Sequence, residues 1–129
     1  MKSKKILYVE DDQDNQMLVK LFLRNEPYEL MTAETPQEAI DTISSHQVNA
    51  IIVDLNLQEE GDGVELIQSI RNLSGYQSVP IFVFSGHDEQ HFKQFGIDDQ
   101  IHRFFRKPTS KKTLIEALRE FDGKEENRT

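Results

Sequence analysis

The sequence predicts an α/β domain, a doubly wound parallel sheet of five strands flanked by five helices. Three observations predict it. Ile6, Leu7, Tyr8 and Val9, and again Ala50, Ile51, Ile52 and Val53, form apolar runs without a polar face, the pattern of strands covered on both sides. Between such runs lie segments with apolar residues at helical spacing, long enough for right-handed crossovers. Both runs also end abruptly in acids, Glu10-Asp11-Asp12 and Asp54, at the carboxyl ends of strands, where open parallel sheets hold their ligands.

Taken in order, the first strand leads into a helix on which Met17, Leu18, Leu21 and Phe22 recur at helical spacing, with Asp12 or Asp14 as its cap. Pro27 and the alternation through Tyr28, Leu30 and Met31 predict a shorter strand near an edge. Thr35 as cap, Pro36 at the first helical position and Glu38 as the return arm of a capping box open the second helix, which buries Ala39, Ile40 and Ile43. After Asp54, residues 56–62 are a loop, and Val64, Ile67 and Ile70, with Leu66 beside them, mark a third helix. A strand over residues 79–84, with Pro80 in its first turn, ends at Ser85-Gly86. Residues 87–100 carry Phe92 and Phe95 on a polar, glycine-broken background and predict only a marginal helix. Phe104 and Phe105 mark the last strand, ending at Lys107-Pro108. Leu114, Ile115, Leu118 and Phe121 form the last helix, which Gly123 is expected to stop, leaving residues 124–129 as a solvated polar tail.

At 129 residues the chain has the size of one domain, residues 1–123, with no second module. With 15 basic and 23 acidic residues it carries a net charge of -8, which argues against nucleic acid or an anionic membrane as partner and favours a metal cation or a basic protein patch. There is no cysteine, hence no disulfide, thiolate site or cysteine nucleophile. No segment reaches membrane-spanning length or resembles a signal peptide, so a cytoplasmic protein without membrane insertion is expected.

If the first strand lies beside the third, Glu10, Asp11 and Asp54 meet as three carboxylates with no buried counter-charge. Such a cluster is tolerable when a hard divalent cation neutralises it, and one or two carboxylates, a carbonyl and waters are how Mg²⁺ is held. Ser85 and Lys107 reach the same edge from the fourth and fifth strands. A hydroxyl, an ammonium and a metal converging on one carboxylate suit in-line phosphoryl transfer to that carboxylate.

With these residues the chain resembles a two-component response-regulator receiver domain, similar in plan to stand-alone chemotaxis regulators, from about residue 5 to 122. The resemblance implies a strand order of 2-1-3-4-5. It implies that ILYVEDD carries the acid pair Glu10 and Asp11, VDLNL the phosphoacceptor Asp54, VFSG the switch hydroxyl Ser85, and FFRKP the lysine Lys107, with a cis peptide before Pro108. Mg²⁺ would be held by Asp11, Asp54 and the backbone carbonyl of Asn56, with Glu10 acting through water. Phe104 falls at the switch aromatic, and His87 with Asn56 would tune the lifetime of the acyl phosphate. Three departures stand out. LNLQEEGDG lacks a proline and is one residue longer, so its loop is expected to be more mobile. GIDDQIHRFFRKP is longer than usual, and Ser replaces the commoner Thr at position 85.

The function so implied is a phosphoprotein of a two-component system or phosphorelay. It takes a phosphoryl group from a sensor histidine kinase or histidine phosphotransfer protein onto Asp54 as an aspartyl phosphate. It is no enzyme beyond its own phosphorylation and dephosphorylation. It then switches a face toward a downstream target protein, as a monomer or weak dimer. The alternatives are a receiver-shaped adaptor that works without phosphorylation and an Asp-nucleophile, Mg²⁺-dependent phosphohydrolase. Against the latter, Asn56 stands where a second acid is needed, two residues after Asp54, and no cap domain is present.

Overall fold

Side chains alternate across a strand, so a run that is apolar at every position must be covered twice. That is how the sheet is built in the computed structural model, which describes residues 4–55, 57 and 61–126, with side chains through Phe121. The strands β1 (Lys4–Val9), β2 (Tyr28–Ala33), β3 (Ala50–Asp54), β4 (Ile81–Ser85) and β5 (Arg103–Arg106) pair in parallel in the order β2-β1-β3-β4-β5. The odd-numbered residues Leu7, Val9, Ile51, Val53, Ile81 and Val83 pack on one face against α2 (Pro36–Ser45), α3 (Asp62–Arg71) and Phe92 of α4 (Glu89–Lys93). The even-numbered Ile6, Tyr8, Ala50, Ile52, Phe82 and Phe84, with Phe105, pack on the other face against α1 (Gln13–Phe22) and α5 (Lys111–Glu126).

The capping chemistry read from the sequence operates in the structure. Asp12 caps α1 by accepting from the Asn15 N–H at 3.0 Å. Thr35 Oγ1 accepts from the Glu38 N–H at 3.1 Å, while the Glu38 carboxylate reaches back to the Glu34 N–H at 3.0 Å, one residue beyond a standard capping box.

Several expectations need correction. On α1 the buried residue is Val19, joined by Leu23 just past the helix, whereas Met17 and Leu21 are 54% and 52% exposed and Leu18 is also exposed. Nearly every position from 17 to 23 is apolar, so spacing could not single out the inward stripe. On α3 the buried positions are Gly63, Leu66, Ile67 and Ile70, and Val64 is only half-buried. β2 is an edge strand, but it is as long as β1. Pro80 precedes β4 instead of sitting in it. The helix in the 87–100 region is a single turn, followed by a 3₁₀ turn at Asp98–Gln100 that takes up the extra length before β5. Gly123 does not stop α5, which continues to Glu126. The expected mobile loop falls largely on residues 56 and 58–60, outside the described residues.

Arg71, at the end of α3, was not singled out by the sequence. Its guanidinium donates to the carbonyls of Gln100 (2.7 and 2.9 Å), Val79 (2.8 Å) and Tyr76 (3.0 Å), which ties the 3₁₀ turn to the loop before β4. Burial lowers its pKa.

Gly63 sets how closely α3 approaches β3. A Cβ there would lie 2.8 Å from Leu55 Cα and 2.9 Å from the Asp54 carbonyl oxygen, both backbone atoms that have little room to move. Gly63→Ala is therefore expected to lower stability by about 1–3 kcal/mol in urea unfolding, as overpacking does, despite alanine's better helix propensity. An unchanged midpoint would mean that α3 can back away from β3 at no cost.

Candidate active site at the carboxyl edge of the sheet

Strand register decides which side chains meet. Val9 pairs with Val53, so Glu10 and Asp54 follow on adjacent strands, and both have the parity of the α1/α5 face. Each is about 1% exposed. Lys107, two residues beyond Phe105, has the same orientation. Its Nζ bridges the pair, hydrogen-bonded to Asp54 Oδ2 and 3.2 Å from Glu10 Oε1. The Lys107-Pro108 peptide is cis. The counter-charge missing from the sequence reading of the acid cluster is thus Lys107 itself.

One ammonium does not neutralise two buried carboxylates. The Glu10 pKa is raised to about 7, first by burial and then by its hydrogen bond and repulsion with Asp54, with Lys107 pulling the other way. For Lys107, burial disfavours the charge, but Asp54 and Glu10 outweigh it and its pKa is raised. Asp11 is exposed and lies outside this network. Among the described residues no group of three acidic or histidine side chains converges to cage a metal. The donor set still fits a hard cation. It consists of oxygen atoms carrying more negative charge than Lys107 offsets, and Mg²⁺ needs only one or two carboxylates with waters. The carbonyl of Asn56 lies outside the described residues.

Ser85 is buried but has the opposite parity. Its Oγ accepts from the His87 N–H at 3.0 Å and lines a cavity of about 380 Å³ together with His87, His91, Leu57 and Val64. His87 itself is exposed, its ring stacked on His91 with centroids 4.3 Å apart. Phe104 is half-buried on the Ser85 side, 5.6 Å from the Phe92 ring. The two halves are joined through the main chain, where the Lys107 N–H donates to the Ser85 carbonyl at 2.7 Å. The sequence reading missed Tyr8, whose hydroxyl donates to Glu10 Oε1 at 3.1 Å. A hydroxyl-bearing ring in an otherwise aliphatic strand, two residues before a strand-end acid and so on its face, was the available signal.

A family model described as the response regulator receiver domain matches residues 6–119. The chain belongs to this family. It is 33% identical over 108 residues to the regulatory protein VanR of Enterococcus faecium, covering 81% of this chain and 45% of that protein. The receiver spans about half the length of the curated relatives it matches. Among solved structures it resembles the chemotaxis protein CheY4 of Vibrio cholerae, with TM-score 0.83, 26% identity, and coverage of 92% of this chain and 98% of that one. It also resembles the receiver domain of the sensor histidine kinase PA1611 of Pseudomonas aeruginosa PAO1, which holds a magnesium ion in its active site cleft. Here the TM-score is 0.84 and the identity 23%, covering 94% of this chain and 98% of that one.

The raised Glu10 pKa sets a pH dependence. The folded receiver binds this proton more tightly than the unfolded chain, so without metal its stability falls as pH rises from about 4.5 to about 7. In urea unfolding with a chelator, Glu10→Gln should flatten this slope and leave the variant more stable than the native chain at pH 8, by on the order of 1–3 kcal/mol. An unchanged slope would place the responsible group elsewhere.

Proposed function

We propose that this receiver accepts a phosphoryl group on Asp54 from a phosphohistidine of a sensor histidine kinase or a histidine phosphotransfer protein. The transfer would take place in the cytoplasm, with Mg²⁺ bound by Asp11, Asp54 and the Asn56 carbonyl, and with Glu10 acting through water. The observation that carries this reading is the Asp54 carboxylate, buried at the strand end and bridged by Lys107 to Glu10. As the Asp54 oxygen bonds to phosphorus, the P–N bond breaks and the imidazole departs with its electron pair. Lys107, already bonded to the nucleophile, is placed to follow the charge onto the phosphoryl oxygens. Mg²⁺ would add charge neutralisation there; the PA1611 receiver, of the same fold, holds a magnesium ion in its active site cleft. Attack of water on phosphorus later returns the carboxylate and inorganic phosphate, at a rate that His87 and Asn56 would tune.

Ser85 lies on the opposite face from Asp54, so turning its hydroxyl toward a phosphoryl group would draw Oγ away from the His87 N–H and loosen the segment in which Phe92 packs against Phe104. The readout is a changed face for a downstream protein. The acidic balance supports a protein partner over nucleic acid. No helix among the described residues is long and apolar enough to cross a membrane.

Intact mass after incubation with Mg²⁺ and acetyl phosphate is expected to show one phosphoryl adduct, absent in Asp54→Asn. An adduct that persists in that variant would move the acceptor elsewhere, and no adduct at all would favour an adaptor role. Lys107→Ala should slow adduct formation by at least about tenfold, since it removes a cation bonded directly to the proposed acceptor. Ser85→Ala should still form the adduct while losing the phosphorylation-induced NMR shifts at Phe104, which native protein is expected to show.

A further inference from the structure

The phosphoryl-transfer reading assigns no role to Tyr8, yet Tyr8 is one of the largest fully buried side chains and its hydroxyl ends in the acid cluster. The ring is held edge-on against Phe84, with centroids 5.8 Å apart, so the hydroxyl has little freedom to point elsewhere. It shares Glu10 Oε1 with Lys107, the two donors lying 3.1 and 3.2 Å away. A carboxylate oxygen accepts about two hydrogen bonds, so these two donors fill Oε1 and a metal-bound water would be received on Oε2, in a carboxylate that also hydrogen-bonds Asp54 and Asn15. The two donors differ in one respect. Lys107 also serves Asp54 and follows the charge when a phosphoryl group arrives, whereas Tyr8 has no such second duty and stays.

We propose that Tyr8 is a positioning residue for the metal site. Its hydroxyl fixes the Glu10 carboxylate so that Glu10 can receive a metal-bound water both before and after Lys107 turns to the phosphoryl group. This rests on the reading of Asp54 as a Mg²⁺-assisted phosphoacceptor. Groups that orient a metal's inner ligands or waters matter because a carboxylate that must be ordered on binding loses affinity to that ordering.

The test is a Mg²⁺ titration followed by backbone amide NMR shifts, with the adduct rate from acetyl phosphate measured in parallel, on the native chain and Tyr8→Phe. The phenyl ring keeps the Phe84 contact and deletes only the hydroxyl. We expect Mg²⁺ affinity to fall about tenfold, the lower end of what losing an outer-sphere hydrogen bond costs a metal site. The adduct rate should return to within about twofold of native at saturating Mg²⁺, a split that general loosening of the fold does not produce. In a Glu10→Ala background, which lacks the acceptor, Tyr8→Phe should cost less than about twofold further.

Unchanged Mg²⁺ affinity in Tyr8→Phe, in a native chain that does bind Mg²⁺ and form the adduct, overturns the role of Tyr8 alone. An equal loss in the Glu10→Ala background does the same, because the hydroxyl would then act through something other than Glu10. A native chain that neither binds Mg²⁺ nor forms the adduct overturns the parent reading together with this one. Should Tyr8→Phe fold poorly, the native chain labelled at tyrosine Cζ decides. A Tyr8 signal that keeps its hydrogen-bonded shift on adding Mg²⁺ and beryllofluoride supports the proposal, and its loss overturns it.

Discussion

The bridge that Lys107 makes between Asp54 and Glu10 is the interaction on which the rest of the site depends. Two carboxylates are almost fully withdrawn from water at the ends of the two central strands, and each would cost several kcal/mol to bury alone. One ammonium supplies a shared partner without matching the charge, and the residue of negative charge appears as the upward shift of Glu10. A site so built favours whatever offsets that charge, and a proton on Glu10 is one such answer. It also makes Lys107 sensitive to the state of Asp54, because the same nitrogen that holds Glu10 is the one that any new charge on Asp54 recruits.

The pleat of the sheet divides the machinery. Tyr8, Glu10, Asp54 and Lys107 lie toward α1 and α5, while Ser85 and Phe104 lie toward α3 and α4. No chain of side chains has to cross the sheet to connect them. Lys107 bonds Ser85 through the backbone at 2.7 Å, and the Leu55 N–H bonds the Phe84 carbonyl at 3.0 Å, so the strand ends carrying Asp54 and Ser85 are stitched edge to edge. Gly63 adds to this rigidity by letting α3 rest directly on the backbone around Asp54.

The fold was legible because its strongest signals are local. Apolar runs closed by acids, a capped proline-first helix at Thr35-Pro36 and a lysine before a proline each specify their own element and the edge it faces. Glu10, Asp54, Ser85 and Lys107 could be placed at one edge of the sheet for the same reason, since each closes an apolar strand. What the sequence hid was pairing. It could not show that Lys107 bridges the two buried acids, that Asp11 stays in solvent while Glu10 is buried, or that Tyr8 donates to Glu10, because those facts follow from register between strands. Nor could spacing orient α1, where apolar residues on adjacent positions give the stripe no unique direction and Val19 and Leu23 turn inward in place of Met17, Leu18 and Leu21.

The weakest sequence signal fell on the segment with the least regular structure of its own. An isolated helical turn is far too short to be stable by itself, and α4 spans only Glu89–Lys93. It is held by a buried Phe92, by the His91 ring stacked on His87 and meeting Phe95 edge to face, and by the hydrogen bond from the His87 N–H to Ser85. The Asp54 side, by contrast, is backed by the ten-residue α1 and the sixteen-residue α5. Local stability follows such differences in backbone bonding and apolar burial. A change in where the Ser85 hydroxyl points therefore acts on the element with the least structure of its own to resist it, next to Phe104, while the strand ends that hold Asp54 stay in place.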